Sequence, residues 1–358
     1  MQDAQITLPM KRHERRNRQR GLPSGVIWDI TYACPLRCVH CYTQSGRRPA
    51  RQLSPAEILR IAEILIEMKV KAVFLSGGEP LIVKGLSAAV ERWSSASIAV
   101  YLFTSGWGLD GSNVPVLAPL LAATHVSVDG ATADVHDRVR QRAGSFERAM
   151  AALEALNTEC LARRAARKPR LQFGVDCTLI QSNFHQLEAV VSEFPGRFSE
   201  LSFVNVGAAV PSGMASTERF AETELLTEAQ LAGLRRGVAG ASVPGRPLLV
   251  SFSDQRHLQM HPDDVASGSA NVDTMSIEPD GSVRAMSMYE GTVGNILVEP
   301  PELLWQRAQD RWHDPFVVQQ LSGARTRIEW AAATRAIDQR YTSGDDAERV
   351  KKRLQVIV

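Results

Sequence analysis

The chain has 358 residues, 44% of them hydrophobic and 22% charged, with 41 Lys and Arg against 39 Asp and Glu for a net charge of +2. That composition excludes a disordered chain, no apolar run is long enough to span a membrane, and the near-neutral balance does not call for nucleic acid. The length suits about two domains, or one large α/β domain with an appendage.

Residues 1–22 read as a basic tail, in which Lys11, Arg12, Arg15, Arg16, Arg18 and Arg20 outweigh Asp3 and Glu14. It has no apolar secretion core, so a cytoplasmic location is expected. From residue 23 to 215 strand-length apolar runs alternate with helical patterns. Residues 26–31 read as a strand. Ser54-Pro55-Ala56-Glu57 opens a helix with a cap, a proline at the first position and a capping-box glutamate, followed by Ile58, Ile61, Ala62 and Leu65 at helical spacing. Strands follow at 72–75, 98–103, 125–128, 171–180 and 201–206. Helices are predicted at 86–93, 114–122, 145–160 and 183–193. This rhythm implies parallel strands joined by crossover helices. Periodicity alone leaves open a partial (β/α) barrel or a doubly wound sheet. Residues 216–244 read as a helical connector. Residues 245–358 read as a smaller α+β unit, with a hairpin around Pro279-Asp280-Gly281 and helices at 301–321, 326–341 and 345–356.

Three of the five cysteines fall within eight residues, as Cys34-Pro35-Leu36-Arg37-Cys38-Val39-His40-Cys41, just after the first strand. Loops at the C-terminal ends of parallel strands form the active face of such folds. Three thiolates there can hold three irons of a [4Fe–4S] cluster and leave the fourth open to a ligand. The alternative is a structural zinc site, with His40 or a distant group as fourth ligand and no catalysis.

Together with Ser76-Gly77-Gly78-Glu79-Pro80 at the end of the second strand, this segment resembles the radical S-adenosylmethionine (SAM) superfamily. His40 takes the place of an aromatic residue, and Pro35 departs from the asparagine common in relatives. The resemblance implies a (β/α)6 partial TIM barrel. Cys34, Cys38 and Cys41 would ligate one [4Fe–4S] cluster, and Tyr42, Gly77, Gly78, Glu79 and Pro80 would hold SAM. Glycines permit close backbone approach there, and the carboxylate suits an ammonium. Thr104 and Ser105 match a motif at the end of strand three. Ser127-Val128-Asp129-Gly130, His136-Asp137, Arg140 and Gly144-Ser145-Phe146 resemble the branch that includes peptide maturases and molybdopterin enzymes, which puts Ser127, Asp129 and Arg140 near the SAM ribose or carboxylate. In this family an electron from the cluster cleaves SAM to a 5′-deoxyadenosyl radical, which abstracts a substrate hydrogen. An external one-electron reductant such as a flavodoxin or ferredoxin is the implied partner.

Ile277-Glu278-Pro279-Asp280-Gly281-Ser282-Val283 and Gly294-Asn295-Ile296 resemble the start of the SPASM or twitch extension, which carries auxiliary clusters on cysteines. Counterparts are expected near Met286, around Ser267 and beyond residue 320, yet no cysteine follows Cys177. A degenerate, cluster-free extension is expected. With no second cluster to accept electrons, redox-neutral chemistry is favoured: epimerisation, dehydration, rearrangement or decarboxylation. The short segment before the barrel favours a small polar, sugar- or nucleoside-like substrate, with a precursor peptide as the alternative.

Alternation in the fifth strand places Phe173, Val175, Cys177 and Leu179 on the apolar face, and Gly174, Asp176 and Thr178 on the lumen face. Asp176 is therefore the candidate catalytic, substrate-side residue. Cys177 and Cys160 are read as core. Asn205 is a second lumen candidate, Trp107 a candidate wall of the adenine site, and His257 and His261 a minor candidate metal pair.

Overall fold

A computed structural model describes residues 21–237, 248–253, 260–268 and 272–355. The basic tail up to residue 20, part of the connector and part of the segment carrying His257 lie outside the described residues.

One ten-stranded sheet organises the molecule. Strands β1 (Gly25–Asp29), β2 (Ala72–Ser76), β3 (Ala99–Thr104), β4 (Ala123–Ser127), β5 (Phe173–Leu179) and β6 (Phe203–Ala208) lie in sequence order, each parallel to the next. The intervening helices include α1 (Pro55–Glu67), α2 (Leu86–Ser95), α3 (Val114–Leu117), α4 (Ala133–Arg140), α5 (Ser145–Ala165) and α6 (Leu187–Arg197). This is the expected partial barrel, open between its two edges.

Two parallel strands extend it. β7 (Leu249–Ser253) pairs with β6, and β8 (Thr274–Ile277) pairs with β1 in the register Gly25↔Thr274 to Trp28↔Ile277. The predicted hairpin is present: β8 runs into β9 (Ser282–Arg284), with β10 (Thr292–Asn295) outside it. The region after residue 245 thus shares both edges of the barrel sheet instead of standing beside it. No local pattern reports such pairing, because the partners lie far apart in sequence. Helices α7 (Glu218–Thr223) and α8 (Glu228–Gly237) occupy the connector.

Local chemistry explains most boundaries. Ser54 Oγ accepts from Glu57 N at 3.3 Å, and Ser54 N donates to Glu57 Oε2 at 2.9 Å, closing the predicted box on α1. The helix expected at 114–122 is instead α3 plus a 3₁₀ turn, Ala118–Leu120, because Pro119 has no N–H to give. The span 301–321 breaks into α10 (Pro301–Trp312) and α11 (Pro315–Gly323), where Asp314 caps a new start with Pro315 at its first position; α9 (Pro262–Ser267) precedes them, and α12 (Arg327–Tyr341) and α13 (Gly344–Gln355) follow.

Strand alternation sorts the two faces. In β3, Val100 and Leu102 are buried against the outer helices, while Tyr101 and Phe103 are half-buried on the lumen side. Trp28 of β1 meets Trp93 of α2 edge to face, ring centroids 5.9 Å apart, within the larger core. Cys177 and Cys160 belong to the core under α5 and α6.

Candidate active site

The cysteine loop leaves the C-terminal end of β1 and is fastened by its backbone to three neighbours. Gly78 N donates to Thr31 O at 2.6 Å, and Glu79 N to Ala33 O at 3.0 Å. Arg37 N and Val39 N reach Arg140 O and Val139 O of α4 at 3.2 and 3.0 Å, and Met214 N donates to Cys41 O at 3.0 Å. Backbone bonds place a loop with little freedom to drift, and that suits a loop carrying three ligands. Gly78 makes the approach possible: a Cβ there would lie 2.0 Å from Ala33 O.

Burial pushes the Cys34 thiol up to about 12 and the Cys38 thiol up to about 11. Such thiols become thiolates when a bound cation supplies the compensating charge. Cationic groups already stand around them. Arg140 Nη1 is 3.6 Å from Cys38 Sγ, and Arg47 donates to Cys38 O at 3.1 Å. Among the described residues no three His, Cys, Asp or Glu side chains converge on one ion-sized point. His40, the proposed fourth zinc ligand, has Nε2 2.8 Å from Asp129 Oδ2. A cluster takes its thiolates one to an iron, so three cysteines on one short loop suit it. The donor set fits a [4Fe–4S] cluster.

The sequence-predicted SAM residues form two bonded groups. Glu79 is fully buried and accepts from Leu81 N (3.2 Å), Thr104 Oγ1 (2.8 Å), Ser105 N (2.9 Å) and Ser105 Oγ (2.6 Å). Burial raises its pKa against those four bonds. Two bonds fall on each carboxylate oxygen, so Glu79 locks the loops after β2 and β3 together. The second group centres on Asp129, also fully buried. It accepts from Thr178 N at 2.8 Å, pairs with Arg140 Nε at 2.7 Å and meets His40 as above. Burial opposes its charge, but Arg140 and His40 outweigh that and hold the carboxyl below the usual range. Asp129 and Arg140 thus couple the end of β4 to the cysteine loop. Tyr42 turns back to the barrel, its hydroxyl donating to Asp29 Oδ1 at 2.7 Å and lying 3.2 Å from Ser76 Oγ. Ser127 is half-buried, in register with Asp176, and its hydroxyl meets no described residue. The Trp107 ring is met by Arg142 and Arg148, whose guanidinium carbons are 5.3 and 5.1 Å from its centroid.

Inside the lumen, Asp176 accepts from Asn205 Nδ2 at 2.9 Å, and Ser251 Oγ donates to Asn205 Oδ1 at 2.6 Å. The sequence reading missed His125, whose Nδ1 lies 3.1 Å from both Asp176 oxygens. One signal was available: His125 and Asp176 each follow the lumen-facing parity of their strands. His257 and Asp254 lie outside the described residues.

A parallel open barrel with a three-thiol loop at the mouth of β1 defines a cluster-binding partial barrel. Residues 28–159 match the Radical SAM superfamily, and the chain carries a radical SAM domain. It is 38% identical over 146 residues to the mycofactocin maturase MftC of Mycolicibacterium smegmatis, which covers 39% of this chain and 36% of that one. It is 24% identical over 310 residues to the pre-heme d1 synthase of Dinoroseobacter shibae, covering 80% of this chain and 74% of the relative. The solved structure of SuiB from Streptococcus suis bound to S-adenosylmethionine shares the fold, with a TM-score of 0.59 at 15% identity over 85% of this chain and 69% of that one. The match thus spans just over a third of the length of MftC. Among the described residues no helix is long and apolar enough to cross a membrane.

Proposed function

We propose that the chain is a radical SAM enzyme that abstracts hydrogen from a small polar biosynthetic intermediate, of sugar or nucleoside type, with a redox-neutral outcome. The carrying observation is the cysteine loop, bonded through its backbone to the Gly77-Gly78-Glu79 loop and to α4, above a lumen lined by Ser127, Asp176 and Asn205. When bound, a reduced cluster on Cys34, Cys38 and Cys41 together with SAM supplies hydrogen-atom abstraction. The chain's own part is to fix the thiols, to neutralise their charge through Arg140, to hold SAM beside Gly77, Gly78 and Pro80, and to present the lumen to the substrate. An external flavodoxin- or ferredoxin-type reductant supplies electrons in a cytoplasmic setting.

The redox-neutral assignment rests on the cysteine-free stretch 178–358. It is supported by what fills the extension: Met286 is buried, and an ion network centred on Glu290 joins Arg284 (3.4 Å), Arg349 (2.9 Å) and Arg353 (3.7 Å), with Arg284 also on Glu278 (2.6 Å) and Arg353 on Asp338 (2.6 Å). A peptide substrate is the second reading, favoured by the match to MftC. The small-molecule reading is favoured by the match to pre-heme d1 synthase, a protein named for a heme product, over 80% of this chain.

The test is anaerobic reconstitution. Four irons and four sulfides per chain, with 5′-deoxyadenosine formed from SAM and reductant, are expected; neither appearing would overturn the enzyme reading. Deuterium carried into 5′-deoxyadenosine from labelled metabolites, and not from peptides, separates the two substrate classes.

A further inference from the structure

His125 is held on every side but one. Its ring stacks on Phe103, centroids 4.4 Å apart at 21°. On the other flank Phe203 lies 4.6 Å away at 42°. Phe203 reaches that position because residue 174 is glycine: a Cβ there would lie 2.3 Å from the Phe203 ring and 2.2 Å from its carbonyl oxygen. Nδ1 is fixed on Asp176, Asp176 is braced by Asn205, and Asn205 by Ser251. Nε2 meets no described residue, and it is not among the buried polar atoms left without a partner, so it keeps contact with solvent. The His125 side chain is 13% exposed and that of Asp176 27%. Residues of β3, β5, β6 and β7, the glycine among them, thus fix one imidazole of β4.

We propose that His125 is a catalytic proton acceptor for a hydroxyl of the substrate, and that Asp176 is its positioning residue. Hydrogen bonding from Nδ1–H to the carboxylate selects the tautomer in which Nε2 carries a lone pair. The inference rests on the reading of a small hydroxylated substrate. Removing hydrogen from a carbinol carbon makes the attached hydroxyl more acidic, because the radical centre spreads the charge of the oxygen. In the step the substrate O–H bond breaks and an N–H bond forms at Nε2. The oxygen electron pair and the unpaired electron stay on the substrate, and no outside oxidant takes part. The imidazolium formed is neutralised by Asp176 across their existing contact. Among the described residues the titratable groups that meet His125 are Asp176 from β5 and Tyr101 from β3, its ring centroid 6.3 Å away; Phe103 and Phe203 carry no charge. The flanking aromatic rings suit a ligand with one flat apolar face beside its hydroxyl.

Two measurements on the reconstituted holoenzyme test this. In the first, diethyl pyrocarbonate modifies accessible neutral imidazoles, and mass spectrometry follows His125 over time. His125 is expected to react, and Asp176→Asn is expected to slow that reaction severalfold, because the carboxylate no longer holds the tautomer whose Nε2 carries the lone pair. An unreactive His125, or an unchanged rate in Asp176→Asn, overturns the dyad whatever the substrate is. In the second, His125→Gln and Asp176→Asn are assayed with the hydroxylated metabolite that passes deuterium to 5′-deoxyadenosine in the wild type. The ratio of product to 5′-deoxyadenosine is expected to fall about 10²-fold or more for His125→Gln. A ratio within twofold of wild type overturns the proposal. If no hydroxylated metabolite passes deuterium in the wild type, the small-substrate reading fails, and the modification experiment alone decides His125.

Discussion

Replacing Gly78 by alanine is the sharpest test of how the cysteine loop is held. The added Cβ would lie 2.0 Å from Ala33 O, 2.7 Å from Ala33 C and 3.1 Å from Cys34 Cβ. Ala33 must therefore withdraw by about 1 Å to restore even the closest contact that side chains keep. That movement strains two bonds, Glu79 N to Ala33 O at 3.0 Å and Gly78 N to Thr31 O at 2.6 Å. Two lost hydrogen bonds cost about 1 kcal/mol each, overpacking adds about 1–3 kcal/mol, and the stiffer unfolded chain returns less than about 1 kcal/mol. The expected loss is about 2–5 kcal/mol, concentrated where Cys34 must meet iron. Gly111, whose added Cβ would touch nothing within 4 Å, is the control. Urea denaturation and iron content after anaerobic reconstitution are the assays. Gly78→Ala should unfold at lower urea and bind clearly less iron, while Gly111→Ala should match wild type. A Gly78→Ala protein with wild-type stability and full iron would refute the steric argument.

Asp129→Asn removes the charge that neutralises Arg140 and holds His40, and should destabilise by about 3–5 kcal/mol in denaturant titrations, because a buried guanidinium is left uncompensated. Burial pushes the Asp29 carboxyl up to about 6 against the pull of Arg284. Between about pH 4 and 6 the folded state therefore keeps a proton that the unfolded chain has released, so this group lowers stability as pH rises. Asp29→Asn should accordingly gain up to about 3 kcal/mol at pH 8, about half of that at pH 5 and little at pH 4 or below, since one pKa unit corresponds to about 1.4 kcal/mol. Asp137 receives Gly144 N and Phe146 N, both at 2.7 Å, at the start of α5, so Asp137→Ala should cost about 1–2 kcal/mol by thermal or urea unfolding. Alanine at Cys34, Cys38 or Cys41 should abolish the cluster's visible absorption. Cys177→Ala, set in the apolar core, should retain both the absorption and 5′-deoxyadenosine formation.

The readable parts of the sequence were those whose chemistry is local. Three cysteines on one loop, the Gly77-Gly78-Glu79 turn and the capping box at Ser54 each act within a few residues. The strand–helix rhythm carried the barrel for the same reason. The site's finer grammar is non-local and was not readable. Glu79 looks like an exposed acceptor until Thr104 and Ser105 arrive from β3 to fill it. His125 is one polar residue in Ala-Thr-His-Val-Ser; its meaning depends on Asp176, Phe103 and Phe203, which are brought alongside only by sheet register. β7 and the pairing of β8 with β1 were lost on the same ground, and α4 was passed over because only Val135, His136, Val139 and Arg140 of its eight residues are buried.

The union of β1 with β8 also sets a timetable. Gly25 and its partner Thr274 are separated by almost 250 residues, and a ribosome adding about 5–20 residues per second needs roughly 12–50 s to deliver the second after the first. For that interval one edge of β1 carries unpaired backbone groups, although its other edge can already zip onto β2. A nascent chain arrested before residue 274 should therefore be held by chaperones or aggregate, whereas one arrested well beyond residue 295 should resist protease. A strand made after all six of the barrel's own is what covers the free edge of the first, so the barrel is not finished until the start of its extension is.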